Sequence, residues 1–308
     1  MTDVIATAGS TTVHTPGTLA EVAPGARKGH RLGVLGLGGW LSAIWLIVIS
    51  VSAILAPWLP LKDPAHIDFS NLNQFPNKPP GTPGFILGTE QNGFDIFSRI
   101  IWGGRVSLVV ALGVLAIGMV VGGGIGLLAG FLRGKTETVL MSVVDIFLAF
   151  PALILLIAIV AFLGADLKNV VLGISLVSIP AFARIARATT LTYSQREFVL
   201  AAEAAGATKR RILLREILPN VILPLLAFGL LVVGIAIVAE GSLAFLGLTS
   251  QETISWGGMI NGGKRALQQE NIAHTSMIPA FVMFLTVLSV NMLGDRFRAA
   301  FDVKDAAL

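Results

Sequence analysis

Val106-Ser-Leu-Val-Val-Ala-Leu-Gly-Val-Leu-Ala-Ile-Gly-Met-Val-Val-Gly-Gly-Gly-Ile-Gly-Leu-Leu-Ala-Gly-Phe-Leu132 is a run without one charged side chain, closed off by Arg105 and Arg133. A helix of this length exceeds the roughly 30 Å hydrocarbon thickness of a bilayer at about 1.5 Å per residue. In lipid, backbone N–H and C=O groups must be satisfied within the segment, so the run reads as a transmembrane helix. The rest of the chain agrees. Of 308 residues, 54% are hydrophobic and only 13% charged, with a mean hydropathy of +0.81. Soluble domains carry about 25% charged residues to wet their surface, so this chain has too few for one.

Five further runs share this character. The first extends from Leu32 to Trp58, the third lies between Asp145 and Asp166, and the fourth between Lys168 and Arg184. The fifth lies between Glu216 and Glu240, continuing to about Leu246, and the sixth between Glu270 and Asp295. The fourth is short for a crossing, so it borrows a turn from the segment carrying Arg184 and Arg187, whose heads snorkel. The first is read as an uncleaved signal anchor, because its apolar stretch is about twice the 7–15 residues of a signal-peptide core. Placing the N-terminus inside puts 15 Lys and Arg in cytoplasmic connections and 7 outside. The positive-inside bias therefore predicts cytoplasmic termini. The expected organisation is a disordered tail at 1–31, the first span at 32–58, an extracytoplasmic loop and pre-span segment at 59–104, a five-helix core at 105–299 and a C-terminal tail at 300–308.

The net charge of +4 and pI of about 9.7 do not point to nucleic acid, because the basic residues are dispersed between apolar runs. Cysteine is absent, which excludes disulfides, thiolate metal sites and cysteine nucleophiles. His14, His30, His66 and His274 form no metal-ligand spacing, so neither a metal nor a catalytic residue is expected. Gly134-Lys135-Thr136 imitates the end of a phosphate loop, but the required upstream glycine is replaced by Ala129. Any nucleotide must be handled by another chain.

The connection between the fourth and fifth runs reads Gln195-Arg-Glu-Phe-Val-Leu-Ala-Ala-Glu-Ala-Ala-Gly206, then Ala-Thr-Lys-Arg-Arg-Ile-Leu-Leu-Arg-Glu-Ile-Leu-Pro219-Asn220. Its spacing places Phe198, Ala201, Ala202 and Ala205 on one helix face. Gly206 suits the helix end, Thr208 can cap the next helix, and Pro219 marks entry into the fifth span. This is a helix–turn–helix with a small-residue surface that a partner's groove can approach closely. In the second run, Gly118, Gly122, Gly126 and Gly130 recur every four residues and form a flat helix-packing strip. Asp145, Glu240 and Asp295 are charges near span ends, read as structural anchors. Pro151, Pro180 and Pro224 are expected to kink or start helices.

The 195–219 stretch resembles the EAA loop of ABC importer permeases, whose pattern is Glu-Ala-Ala, three residues, Gly, nine residues, then Ile-x-Leu-Pro. Ala201, Ala202, Gly206, Leu218 and Pro219 fall in register, while Leu200 replaces the motif glutamate and Glu216 the isoleucine. The resemblance runs from about Leu87 to Asp302 and is nearest the C-type subunits of dipeptide, oligopeptide and nickel permeases. It rests on Leu87-Gly-Thr-Glu90 with Gly93, Asp95, Ser98 and Arg99, on Asp145-Ile-Phe-Leu-Ala-Phe-Pro151, and on Glu240-Gly-Ser-Leu-Ala-Phe-Leu-Gly247. Ser255-Trp-Gly257 and Asn291-Met-Leu-Gly-Asp295 with Arg298 and Asp302 complete it. Phe94 stands where that family usually has arginine.

The resemblance implies an all-α polytopic type I importer permease in a prokaryotic inner membrane. It also implies a homologous second permease, two ATPase domains that bind ATP and Mg²⁺, an extracytoplasmic substrate-binding protein and a peptide substrate. Glu197, Ala201, Ala202, Gly206, Leu218 and Pro219 would couple the chain to the ATPases. Nickel chelates and haem are alternative solutes, and a secondary transporter is the rival class. The latter should show internal repeats and unwound half-helices. A membrane-embedded enzyme would need a nucleophile–base pair or metal ligands at membrane depth.

Overall fold

A computed structural model describes residues 36–65, 76–250, 253–264 and 272–305, the last six of these by backbone alone. The expected tail at 1–31, the start of the first span, His14, His30 and His66 lie outside the described residues. The described part is helical and belongs to one compact unit. Helix α1 spans Gly36–Leu55, and α2 (Ile96–Ile117) continues through a π-turn at Gly118–Gly122 into α3 (Gly123–Leu132). Then follow α4 (Gly134–Leu148), α5 (Ala152–Leu163), α6 (Leu167–Tyr193) and the short α7 (Glu197–Ala204). The turn α8 (Lys209–Arg211) runs through a second π-turn (Ile212–Ile217) into α9 (Leu218–Phe245). After it come α10 (Trp256–Gly262) and α11 (His274–Asp305).

Five of these segments are long and apolar enough to cross a membrane, or six if the bent pair α4–α5 counts as one. The second span begins well before Arg105, at Ile96. Asp95 caps it by accepting from the Ser98 amide at 3.2 Å. Arg99 and Arg105 fit inside the helix because each has a partner: Glu90 at 3.3 Å for the first, and the Trp102 ring for the second. The third span, expected between Asp145 and Asp166 with a kink or helix start at Pro151, begins earlier, at Gly134, and is split in two at that proline. α4 and α5 meet at 83°. Pro151 cannot donate to the preceding turn and pushes Phe150 out of helical conformation, which breaks the rod there. Asp145 consequently lies within α4, paired at 2.8 Å with Arg184 of α6.

The fourth span is one 27-residue helix that includes Arg184 and Arg187. The fifth begins at Lys209, so Pro219 sits inside a continuous 37-residue segment. Within that segment it still stands in the first turn of α9, where the sequence suggests a helix entry. The π-turn just before it absorbs the carbonyl that a proline cannot satisfy. α11 continues through most of the expected C-terminal tail, to Asp305.

α2, α3, α6 and α9 form the centre, packing Val110, Val114, Phe182, Val232 and Ile237 into one core. α11 covers α9. α1 lies outermost against α11 and α2, tied by Trp45 Nε1 donating to Thr286 Oγ1 at 3.1 Å. The apolar residues α1 turns outward, such as Leu37, Ile47 and Ile54, face the side where lipid replaces water.

Candidate functional site

The glycine strip of the second span lies against α6. A side chain at Gly122 would come within 2.6 Å of the Ile179 carbonyl oxygen, and one at Gly130 within 2.9 Å of that of Arg187. Gly126 meets the Ala183 carbonyl and Gly118 the Phe182 ring. The strip therefore lets two backbones touch inside this chain. It also stiffens α6, the helix that leads into α7.

α7 hangs between two long spans. Val199, 2% exposed, anchors it against the π-turn at Ile212–Ile217, and Ala202 packs against the same buried cluster. Phe198, Ala201 and Ala205 remain exposed, as do Glu197 and Leu200. The face read from the sequence thus divides. Ala202 looks partly inward, while Ala201 and Ala205 form the open small-residue surface. Gly206 terminates α7 at φ +78° with open space where a side chain would stand. Its amide donates to the Glu203 carbonyl and that of Ala207 to Ala202, at 2.9 and 3.0 Å, the paired bonds of a Schellman end. Thr208 then caps the following turn, its hydroxyl accepting from the Arg211 amide. Leu218 is half-buried, Pro219 is exposed, and Asn220 Nδ2 bonds the Glu216 carbonyl oxygen at 2.6 Å. Lys209, Arg210, Arg211 and Arg215 are all exposed beside this turn.

Around the same end, side chains that sequence reading did not pair brace α4 to α6. Arg187 Nε donates to Glu137 Oε1 at 2.6 Å, parallel to the Arg184–Asp145 pair. Arg133, at φ +52°, reaches from the α3–α4 turn to Ser194 Oγ at 2.9 Å. An Arg and an acid on facing helices was the only available signal, and spacing alone did not show which would meet.

The opposite end holds a second polar group. A turn at Glu90–Phe94, closed by the Glu90 amide donating to the Phe94 carbonyl at 2.9 Å, sets Glu90 against Arg99. Arg99 in turn stacks 4.5 Å above the Phe94 ring. Burial pushes the Glu90 carboxyl up to about 7, with Arg99 pulling the other way. Burial also raises Asp95, against the Ser98 amide and Lys62. Glu90, Phe94 and Arg99 line a cavity of about 390 Å³ facing Thr253, Ser255 and Asn261. Beyond it, α9 carries Glu240 into the interior at 2% exposure, and Asp295 of α11 is exposed. A separate cavity of about 380 Å³ is walled by Leu153, Leu156, Ile235, Ser178, Ser242 and Asn291, which belong to α5, α6, α9 and α11.

Comparison with known proteins places this arrangement. Residues 122–304, more than half of the chain, match the family described as binding-protein-dependent transport system inner membrane component. The glutathione transport system permease protein GsiD of Escherichia coli is 38% identical over 266 residues, 85% of each chain. GsiD of Pectobacterium atrosepticum is 36% identical over 261 residues, 84% of each. The inward-facing MetNI methionine ABC transporter shares the fold at a TM-score of 0.56 and 20% identity, over 66% of this chain and 97% of that one. With a helical membrane unit, matching sequence blocks in order and relatives of this identity, the chain belongs to the binding-protein-dependent transport system inner membrane components and is an ABC importer permease.

Proposed function

We propose that this permease is one of two pore-forming subunits in an importer of small peptides, glutathione-like tripeptides among them. The observation that carries the coupling part is α7: an exposed small-residue helix, anchored by Val199, wedged between the ends of α6 and α9. A force applied there has two long levers. An ATPase groove closing on Ala201 and Ala205 would tilt both spans together, the rigid-body route to alternating access. ATP and Mg²⁺ bind the two ATPase domains, and a homologous permease supplies the other half of the pore. The cavity beside Ser178, Ser242 and Asn291 offers a largely apolar wall with a few hydrogen-bonding groups, suited to a peptide in transit. A binding protein delivers solute at the Glu90 end, which lies outside, and both termini lie in the cytoplasm. The peptide class is supported by the relatives named for glutathione. Nickel chelate or haem would be the readings left if peptides fail.

The test is the assembled complex. ATPase subunits should co-purify, and reconstituted vesicles should take up labelled glutathione or a dipeptide only with ATP and the binding protein. Uptake without ATP, driven by an ion gradient, would overturn the reading in favour of a secondary transporter. Orientation is checked separately: Thr82→Cys should label from outside, and Gln195→Cys only after the membrane is opened. Reaction of both from one side would sink it.

A further inference from the structure

A carboxylate in a membrane interior is costly unless every lone pair is matched, and the core around Glu240 has no packing need for a charge. Glu240 Oε2 accepts from Ser107 Oγ of α2 at 3.2 Å, and the carboxylate also accepts from the Ser255 hydroxyl. Ser255 Oγ itself accepts from the Gly258 amide at 3.2 Å, capping α10. One hydrogen-bonded chain thus runs from the α10 backbone through Ser255 to α9 and on to α2. The contact is close on all sides. A side chain at Gly257 would come within 2.8 Å of the Gly241 carbonyl oxygen, and one at Gly103 within 3.3 Å of the Trp256 amide nitrogen. Trp256 is fully buried, with Nε1 donating to the Ile100 carbonyl at 2.9 Å. The far end of α10 is held by Ser276 Oγ on the Ile260 carbonyl at 3.1 Å.

Two further facts give this junction a direction. The segment that carries Glu240 is continuous from Lys209, beside the coupling turn, to Phe245. α10 is also one wall of the 390 Å³ cavity whose opposite wall holds Glu90, Phe94 and Arg99. We infer that Glu240 is a positioning residue through which α9 carries α10, so that displacement of α7 at one end widens or narrows the polar cleft at the other. Glu240 touches no solute. It transmits the position of a rod to a short helix that also packs on α9 at Gly241 and is tied to α2 and α11. The inference rests on the transport reading above.

The chain has no cysteine, so Asn261→Cys introduces a single thiol on the cleft face of α10. In the assembled importer, its reaction with a bulky hydrophilic maleimide is followed without nucleotide and with a non-hydrolysable ATP analogue. The expected result is a rate difference of about tenfold between the two states, as for an element that shifts between two populations. Glu240→Gln, which keeps an acceptor for both hydroxyls, should preserve the difference. Glu240→Ala should reduce it below about twofold while the complex still binds nucleotide. If Glu240→Ala does not assemble, Ser255→Ala decides, because it cuts the chain and leaves the carboxylate on Ser107. A difference retained in either assembled variant overturns the inference, and so does equal reactivity in both states of the unsubstituted background. Failure of ATP-driven uptake in the wild type would instead strike the transport reading itself.

Discussion

The two ends of this permease are built on opposite plans. At the α7 end the polar side chains are spread out: Arg184 and Asp145 pair while each stays 57% exposed, and four cations stand free of the core beside Ala201 and Ala205. At the α10 end Glu90, Asp95, Ser107, Glu240, Ser255 and Trp256 are buried, and most find partners within the chain. Exposed ion pairs contribute little to stability, whereas a buried charge must be matched or it destabilises strongly. The first end therefore presents a surface that something else completes, and the second is held mainly by partners within the chain, with Glu90 Oε1 and Arg99 Nε left unmatched beside the cleft. A lever needs both: a handle that another chain can grip, and a joint that does not slip.

The deepest break in that comparison would come from the shaft between the ends. Gly126→Leu should abolish accumulation of folded permease, because its side chain meets the Ala183 backbone and α6 cannot give way without separating two helices. The cost is about 3 kcal/mol or more. Gly124→Leu is the control, since nothing lies within 4 Å of that position. Equal yields of the two variants in detergent would show that the strip does not hold α6.

A charge at the handle comes next. Ala201→Asp or Ala205→Asp should leave yield and insertion unchanged but cut ATP-driven uptake about a hundredfold, since an unpaired carboxylate in a close contact costs several kcal/mol. Ala202→Asp should behave differently. It packs against the buried cluster that holds Val199, so the charge loosens α7 itself and shows as faster proteolysis at the turn. Wild-type uptake in the Ala201 and Ala205 variants would mean that the exposed face grips nothing.

Smaller still is the backbone effect at the end of α7. Gly206→Val places a β-branched residue at φ +78°, strained by about 1–2 kcal/mol, and should slow uptake by roughly tenfold. Gly206→Asn, which enters the left-handed region more readily, should recover most of the rate. Identical rates for Val and Asn would show that the turn is not held in the active complex.

These contrasts also explain what the sequence could and could not reveal. Spans were legible because lipid imposes composition on whole stretches. Gly206 and Thr208 were legible because local backbone chemistry restricts which residues stand there, whereas the Asp95 cap was not, because Arg99 and Arg105 masked the true start of its helix. The side of α7 on which Ala202 lies was not, because Val199 chooses it by docking on residues beyond the turn. The break at Pro151 was legible but its size was not: an 83° bend depends on how α4 rests on α3 and α6. Least legible was the joint, since Glu240 finds Ser107 across 133 residues and no spacing rule links them.

The smallest effect tests how far the α10 end is matched within the chain. Glu90 lies outside the spans, its side chain 10% exposed and 3.3 Å from Arg99. Burial raises its carboxyl from 4.5 to about 7, Arg99 offsetting only part of that. The sign follows from proton linkage. Between 4.5 and 7 the folded state keeps a proton that the unfolded chain has released, so stability falls as pH rises through this window and levels off above it. From pH 6 to pH 8 the loss should be on the order of 1 kcal/mol, read as a drop of a few degrees in Tm in detergent. Glu90→Gln should flatten the profile, because the amide does not titrate. Arg99→Gln should extend the decline to higher pH, because the carboxylate then ionises without its cation. An unchanged slope in Glu90→Gln would place the pH dependence elsewhere.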